Sequence, residues 1–300
     1  MSNLPEKILL ATDGSEDAAA AARAAADLSK RLNADLYVVH AWRKPHEYEY
    51  PGVPQPIDAA ALFQRQAEEV LKKERGRLQR MEVEVTESYL ELGRPADVIL
   101  NFSEQFGIDL ILMGSRGHGT FGRIALGSVS EEVAHHASCP VLVVRGGEQT
   151  WPPERIVVGD DGSEDASRAG DLAVGLGKLF EAPILLVRAY HQPPPPMELM
   201  SDQFDLYERM IEQNFEREAQ ALEERAEKLE SELGTRPKTE TASGNPAEVL
   251  DEAAGEDEST LIVVGSRGLG VARRMALGSV STKILRAAKG PVLIYPHATI

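Results

Sequence analysis

The chain has 300 residues, 42% of them hydrophobic and 27% charged, the proportions of a globular protein with two cores of roughly 150 residues each. Its 48 acidic and 32 basic residues leave a formal charge of -16, which opposes broad contact with nucleic acid or an anionic membrane, so neither is expected as a partner. The single cysteine, Cys139, excludes an intramolecular disulfide, and the start of the chain has no basic segment followed by a long apolar one, which points to a cytoplasmic protein.

In chain order, Lys7 to Thr12 reads as a buried strand, and Asp13-Gly14-Ser15 as a turn whose serine caps an alanine-rich helix to about Leu32. Asp35 to Ala41 is a second apolar strand, Pro45 to Pro56 a proline-rich loop, and Ile57 to Arg80 a charged helix. Alternating Val83 and Val85, with the residues to Leu90, predict a third strand; Gly93-Arg94-Pro95 predicts a turn and Ala96 to Phe106 a short helix. The stretch Leu110 to Ser130, LILMGSRGHGTFGRIALGSVS, gives a fourth strand, a glycine-rich loop and the start of a helix from Ser128 to about Ala137; Pro140 to Val144 is a fifth strand.

The second half repeats the first. Arg155 to Asp161 with Gly162-Ser163 matches Lys7 to Ser15 at an offset of 148 (161 minus 13), and LIVVGSRGLGVARRMALGSVS, Leu261 to Ser281, matches the glycine stretch at 151 (265 minus 114). Pro183 to Tyr190, Gly244-Asn245-Pro246 and Pro291 to Tyr295 repeat the corresponding elements. We therefore place one domain at 1–147, a Gly- and Pro-containing linker at 148–153 and a second domain at 154–300. Strands alternating with helices imply parallel pairing, hence two tandem doubly wound α/β domains with helices on both faces.

One helix differs between the halves, running from about Met197 to Leu233 with Phe204, Ile211, Phe215, Leu222, Ala226, Leu229 and Leu233 on one stripe. Such a stripe ordinarily covers the helix's own sheet; a partner-binding face is the alternative. The prolines Pro193 to Pro196 read as a stiff loop in preference to a polyproline ligand.

A strand, a glycine loop and a helix N-terminus are the parts of a phosphate cradle. Loop amides, with those of Ser128 and Val129, could bind an anion, each bond to a charged oxygen contributing about 1.5 to 3 kcal/mol and the helix end about 0.3 to 1. Ser128 and Ser279 could cap their helices and also donate a hydroxyl. Arg116, Arg123, Arg267 and Arg274 are either phosphate partners or solvated loop residues. Gly117 to Gly122 satisfies G-x-G-x-x-G, but it follows the fourth strand, lacks a well-placed acidic partner and is broken in the repeat by Arg273, which argues against a nicotinamide Rossmann site. No Walker motif or G-x-S-x-G elbow occurs. Adjacent His135 and His136 point about 100° apart on a helix, and with Cys139 they are read as structural or surface residues, so no metal ligand set is assigned.

The pattern G-x2-G-x9-G-[ST] after the fourth strand and an Asp after the first, in both halves, with His40-Ala41 at the end of the second strand in the first half, resemble the universal stress protein family. The resemblance implies a five-stranded sheet of order 3-2-1-4-5 in each domain and ATP bound at the carboxyl ends of the strands, with Mg2+ or Mn2+. It implies that Asp13 and Asp161 face the ribose, phosphates or metal, against the plain reading of a turn residue. Ala41 and Ala189 would offer main-chain atoms to adenine. Gly114, Ser115, Arg116, Gly117 and Gly119, with Gly127, Ser128 and Val129, would surround the phosphates; in the second half Gly265, Ser266, Arg267, Gly268 and Gly270, with Gly278, Ser279 and Val280, would do so. His40 is replaced by Arg188 and His118 by Leu269, exchanges expected to alter occupancy or affinity. The expected function is a stress-response protein that binds ATP in both domains as a nucleotide-dependent regulator or interaction module, with protein partners. The alternatives are a slow ATPase, for which only Asp13 and Asp161 offer a base, and a nucleotide-independent scaffold. The resemblance also implies homo-oligomers, with the two halves packed as a pseudo-dimer through Val141 to Val144 and Val292 to Tyr295.

Overall fold

The structure, a computed structural model, describes residues 4–43, 59–117, 126–147, 150–190, 192, 201–268 and 277–297. The proline-rich 45–56 loop, Pro193 to Pro196, and His118, Gly119, Gly122, Arg123, Leu269, Gly270, Arg273 and Arg274 lie outside the described residues. The chain forms two compact units, Pro5–Pro152 and Pro153–Ala298.

The first unit runs β1 (Lys7–Ala11), α1 (Glu16–Leu32), β2 (Asp35–Trp42), α2 (Ala59–Arg80), β3 (Glu87–Leu92), α3 (Pro95–Phe106), β4 (Leu110–Gly114), α4 (Ser128–His136) and β5 (Val141–Val144). Its strands pair in the order β3-β2-β1-β4-β5, all parallel. The second runs β6 (Arg155–Gly159), α5 (Glu164–Phe180), β7 (Ile184–Tyr190), α6 (Ser201–Leu233), β8 (Lys238–Ser243), α7 (Pro246–Ala254), β9 (Thr260–Gly265), α8 (Ser279–Ala287) and β10 (Val292–Tyr295). The same order is kept, β8-β7-β6-β9-β10, again all parallel. Each unit is thus a doubly wound five-stranded sheet of order 3-2-1-4-5. In the first, α1 packs with α2 and α3 with α4; in the second, α5 packs with α6 and α7 with α8.

The central strands are apolar throughout because helices cover both faces. Ile8, Leu9, Leu10, Ile111 and Leu112 in one unit, and Ile156, Val157, Val158, Leu261 and Val263 in the other, are fully buried. Six alanines of α1, from Ala20 to Ala26, are almost inaccessible, so small side chains bring this helix close to β4. The approach is tightest at the end of the strand. A Cβ on Gly114 would lie 2.6 Å from the Asp17 carbonyl carbon and 2.7 Å from the Ala18 nitrogen, and one on Gly265 within 2.9 Å of the matching atoms of Asp165 and Ala166. These two glycines therefore set the distance between helix and sheet.

The third strand begins later than the valine alternation suggests. Glu82, with φ 56°, turns the chain out of α2, and the Val83 amide donates back to the Leu78 carbonyl at 3.2 Å. Val83 is buried as part of the helix terminus, and strand pairing starts only at Glu87. The stripe of α6 also divides. Leu222, Ala226 and Leu229 are fully buried, whereas Phe204 and Phe215 are 45% and 37% exposed. The second half of this helix covers the sheet, while the described side chains of the first half stay largely exposed apart from Phe215, whose ring meets Tyr190 of β7 edge-on at 5.8 Å.

Candidate functional site

Each unit has a cavity at the carboxyl ends of its strands, beside the point where chain order reverses from β1 to β4 or from β6 to β9, the usual ligand position of an open α/β sheet. The first, about 460 Å³, is lined by Asp13 after β1, Ala41 at the end of β2, Gly114, Arg116 and Gly117 after β4, and Gly127, Ser128 and Val129 at the start of α4. The second, about 400 Å³, is lined by Asp161, Ala189, Gly265, Arg267, Gly268, Gly278, Ser279 and Val280. Both volumes fall within the usual range for small-molecule sites. Of the residues expected from the sequence and described here, all but Ser115 and Ser266 line a cavity.

Those two serines are buried, at 0% and 2% exposure. The Ser115 hydroxyl donates to Asp17 Oδ2 at 2.5 Å, so it holds the loop rather than facing the cavity. Ser128 and Ser279 also differ from expectation: they are the first helical residues, and the cap positions belong to Gly127 and Gly278, with no side-chain capping bond. A glycine cap leaves the first amides of α4 and α8 without a side-chain acceptor of their own, which suits an anion. The Gly127 amide itself donates to the Ser115 carbonyl at 2.8 Å, and that of Gly278 to Ser266 at 2.7 Å.

None of the described motif glycines has positive φ; space accounts for them instead. A Cβ on Gly117 would overlap Asp13 Oδ2, one on Gly268 would overlap Asp161 Oδ2, and those on Gly127 and Gly278 would press on the carbonyls of Ser115 and Ser266 at 3.1 and 3.2 Å. The aspartates sit in tight turns. Asp13 Oδ1 accepts from the Ser15 amide and Asp161 Oδ1 from the Ser163 amide, both at 3.0 Å. Ser15 and Ser163 cap α1 and α5 through the amides of Ala18 and Ala166, and their hydroxyls donate to the carbonyls of Arg116 and Arg267. Turn and loop are thereby tied together across β1 and β4, and across β6 and β9.

Several residues around the cavities were not singled out from the sequence. Ser130 and Ser281 line the cavities and donate to the carbonyls of Gly114 and Gly265 at 2.8 and 2.7 Å. Asp17, 5% exposed, accepts from Arg116 Nε and Nη2, each at 3.0 Å, and from the Gly146 amide at 3.0 Å. That hydrogen bond raises the Arg116 pKa above its ordinary value. Arg145 behind it is shifted down, chiefly by burial and secondly by the Arg116 charge. Asp17, Arg116 and Ser130 recur in the second half as Asp165, Arg267 and Ser281, which was the available signal, whereas Arg145 and Gly146 are replaced by Pro296 and His297.

A further difference lies beside each cavity. In the first unit Thr12 Oγ1 donates to buried Glu74 at 3.0 Å, and His40 Nδ1 donates to the Thr12 carbonyl at 2.7 Å. In the second unit Asp160 replaces Thr12 and forms a buried ion pair with Arg188, whose Nη1 also meets Glu218 Oε2 at 3.3 Å. The exchange of His40 for Arg188 is thus compensated by a new carboxylate at Asp160. Cys139 is buried, and burial pushes its thiol up to about 12. Among the described residues no three His, Cys, Asp or Glu side chains gather as a metal site, and no helix is long and apolar enough to cross a membrane.

Comparison with known proteins gives the same family for both units. The model of the universal stress protein family matches residues 5–145 and 153–296. A universal stress protein of Methanocaldococcus jannaschii is 35% identical over 143 residues, covering 48% of this chain and 84% of that protein. One of Mycobacterium tuberculosis is 27% identical over 299 residues, covering 96% of each. The crystal structure of a universal stress protein from Archaeoglobus fulgidus aligns over 97% of this chain and 98% of its own, with a TM-score of 0.67 and 23% identity, a likeness of fold. With two successive matches and two copies of the same sheet and loop, the chain belongs to the universal stress protein family as a tandem member.

Proposed function

We propose that this protein is a stress-response regulator that binds one adenine nucleotide, ATP in the first instance, in each unit, and that the bound state alters its association with protein partners. The observation that carries the reading is the coincidence, in both cavities, of a glycine-capped helix N-terminus with a loop glycine whose Cβ would overlap the facing aspartate. Uncapped amides at a helix start are suited to phosphate oxygens, and the missing side chains leave room for them. Asp13 and Asp161, which line the cavities, would face the ribose or a divalent ion accompanying the triphosphate. Ala41 and Ala189 line the strand-end side of the cavities, where their main-chain atoms would meet the base. Nucleotide acts as a switch only through unequal affinity for two conformations.

Titration of the full chain with ATP and magnesium tests this, using Gly127→Val and Gly278→Val. Each substitution adds bulk where the Cβ already presses on a carbonyl, so each single variant should lose one binding equivalent and the double variant both. Unchanged binding in the double variant would refute the assignment.

A further inference from the structure

The two cavities share a framework but treat their loop arginines differently. In the first, the Asp17 carboxylate is fully engaged by Ser115 Oγ, the Arg116 guanidinium and the Gly146 amide. In the second, the corresponding Asp165, 4% exposed, is instead held by His297, whose Nδ1 lies 2.9 and 3.1 Å from its two oxygens. His297 occupies the position of Gly146, two residues beyond the last strand. A side chain there necessarily reaches the carboxylate, because a Cβ on Gly146 would overlap Asp17 Oδ1. The consequence appears on the loop: among the described residues, Ser266 Oγ and Arg267 Nε, the counterparts of two Asp17 donors, are buried without a hydrogen-bond partner. Arg267 nevertheless lines the cavity beside Gly268, Gly278 and Ser279.

We propose that Arg267, released from Asp165 by His297, is the residue through which the second cavity reads the negative charge of its ligand, favouring a polyphosphate over an uncharged nucleoside. Arg116 is a positioning residue: its charge is neutralised by Asp17, and it acts on the first cavity through the shape of the loop. This rests on the nucleotide reading above. A buried arginine donor without an acceptor is costly; the Arg267 side chain is part-exposed and lines the cavity, so a small turn of the guanidinium lets an anionic oxygen there supply the acceptor. The two sites therefore discriminate among ligands of one class by different amounts.

The test uses full-length Gly127→Val, in which only the second cavity is intact, titrated with ATP, adenosine and inorganic tripolyphosphate. Adding Arg267→Gln should weaken ATP and tripolyphosphate about tenfold or more and leave adenosine within about twofold, the retained adenosine binding also reporting an intact fold. His297→Gly, which restores the first unit's residue and lets Asp165 recapture Arg267, should reduce the preference for ATP over adenosine in the same direction. In the Gly278→Val chain, Arg116→Gln should change ATP and adenosine by a common factor. Equal effects of Arg267→Gln on ATP and adenosine, or no effect on either, would overturn the inference while nucleotide binding stood. Arg267-dependent tripolyphosphate binding without adenine nucleotide binding would instead overturn the nucleotide reading and keep the role of Arg267. A chain that bound neither would contradict both.

Discussion

The motif glycines divide by what their missing Cβ would strike. At Gly114 and Gly265 the obstacle is the backbone of α1 or α5, under 3 Å away, and backbone cannot move without shifting the helix. At Gly117 and Gly268 it is the end of an aspartate side chain, which can rotate away into the cavity. Gly114→Ala and Gly265→Ala should therefore each destabilise the fold by about 1 to 3 kcal/mol, the usual cost of overpacking, measured by urea denaturation. Gly117→Ala should leave stability nearly unchanged and weaken nucleotide binding. The ion pair beside the second cavity gives an independent contrast. Arg188→Ala strands Asp160, which is 6% exposed, and should cost about 3 to 5 kcal/mol. His40→Ala removes one bond to a carbonyl and should cost about 1. Equal losses in the two variants would show that Asp160 is not held by Arg188.

At the scale of elements, helices begin at the candidate site and helices cover the sheet, and burial against the sheet is what carries stability. The α6 helix shows this burial confined to part of its length. Leu222→Ala and Leu229→Ala should each cost about 2 to 5 kcal/mol, whereas Leu206→Ala, at a side chain 71% exposed, should stay within about 0.5. Thermal or chemical unfolding of the three variants checks this; a large loss at Leu206 would mean that the exposed half is covered. Periodicity alone gave one continuous stripe from Phe204 to Leu233, because a repeat of 3.6 residues marks a face and cannot say how far the sheet extends beneath it. The same limit misplaced the start of β3. Val83 alternates with Val85 as a strand residue would, yet it packs as the hydrophobic residue following an αL helix terminus, a geometry set by Glu82 that no alternation reveals.

For the whole molecule, internal repetition made the architecture legible: two copies of a strand-helix alternation imply two parallel sheets, and the strand order matches what the family resemblance implied. The cavities were legible to the extent that contiguous motifs form them, as at Asp13, Gly117, Gly127 and Ser128. Asp17, Ser130, Gly146 and His297 were missed because their roles arise from contacts across 16 to 132 positions of chain. Aligning the repeats would have flagged the exchange of Gly146 for His297; only the folded geometry says that it takes over Asp165. A net charge of -16 opposes anion binding by bulk electrostatics, so at the proposed sites the attraction would have to come from local groups, the helix-start amides and, in the second cavity, Arg267. The central claim is most directly tested by the number of adenine nucleotides bound per chain, counted by equilibrium dialysis of the full-length protein against saturating ATP and magnesium. Two per chain is the predicted result; one or none would contradict it.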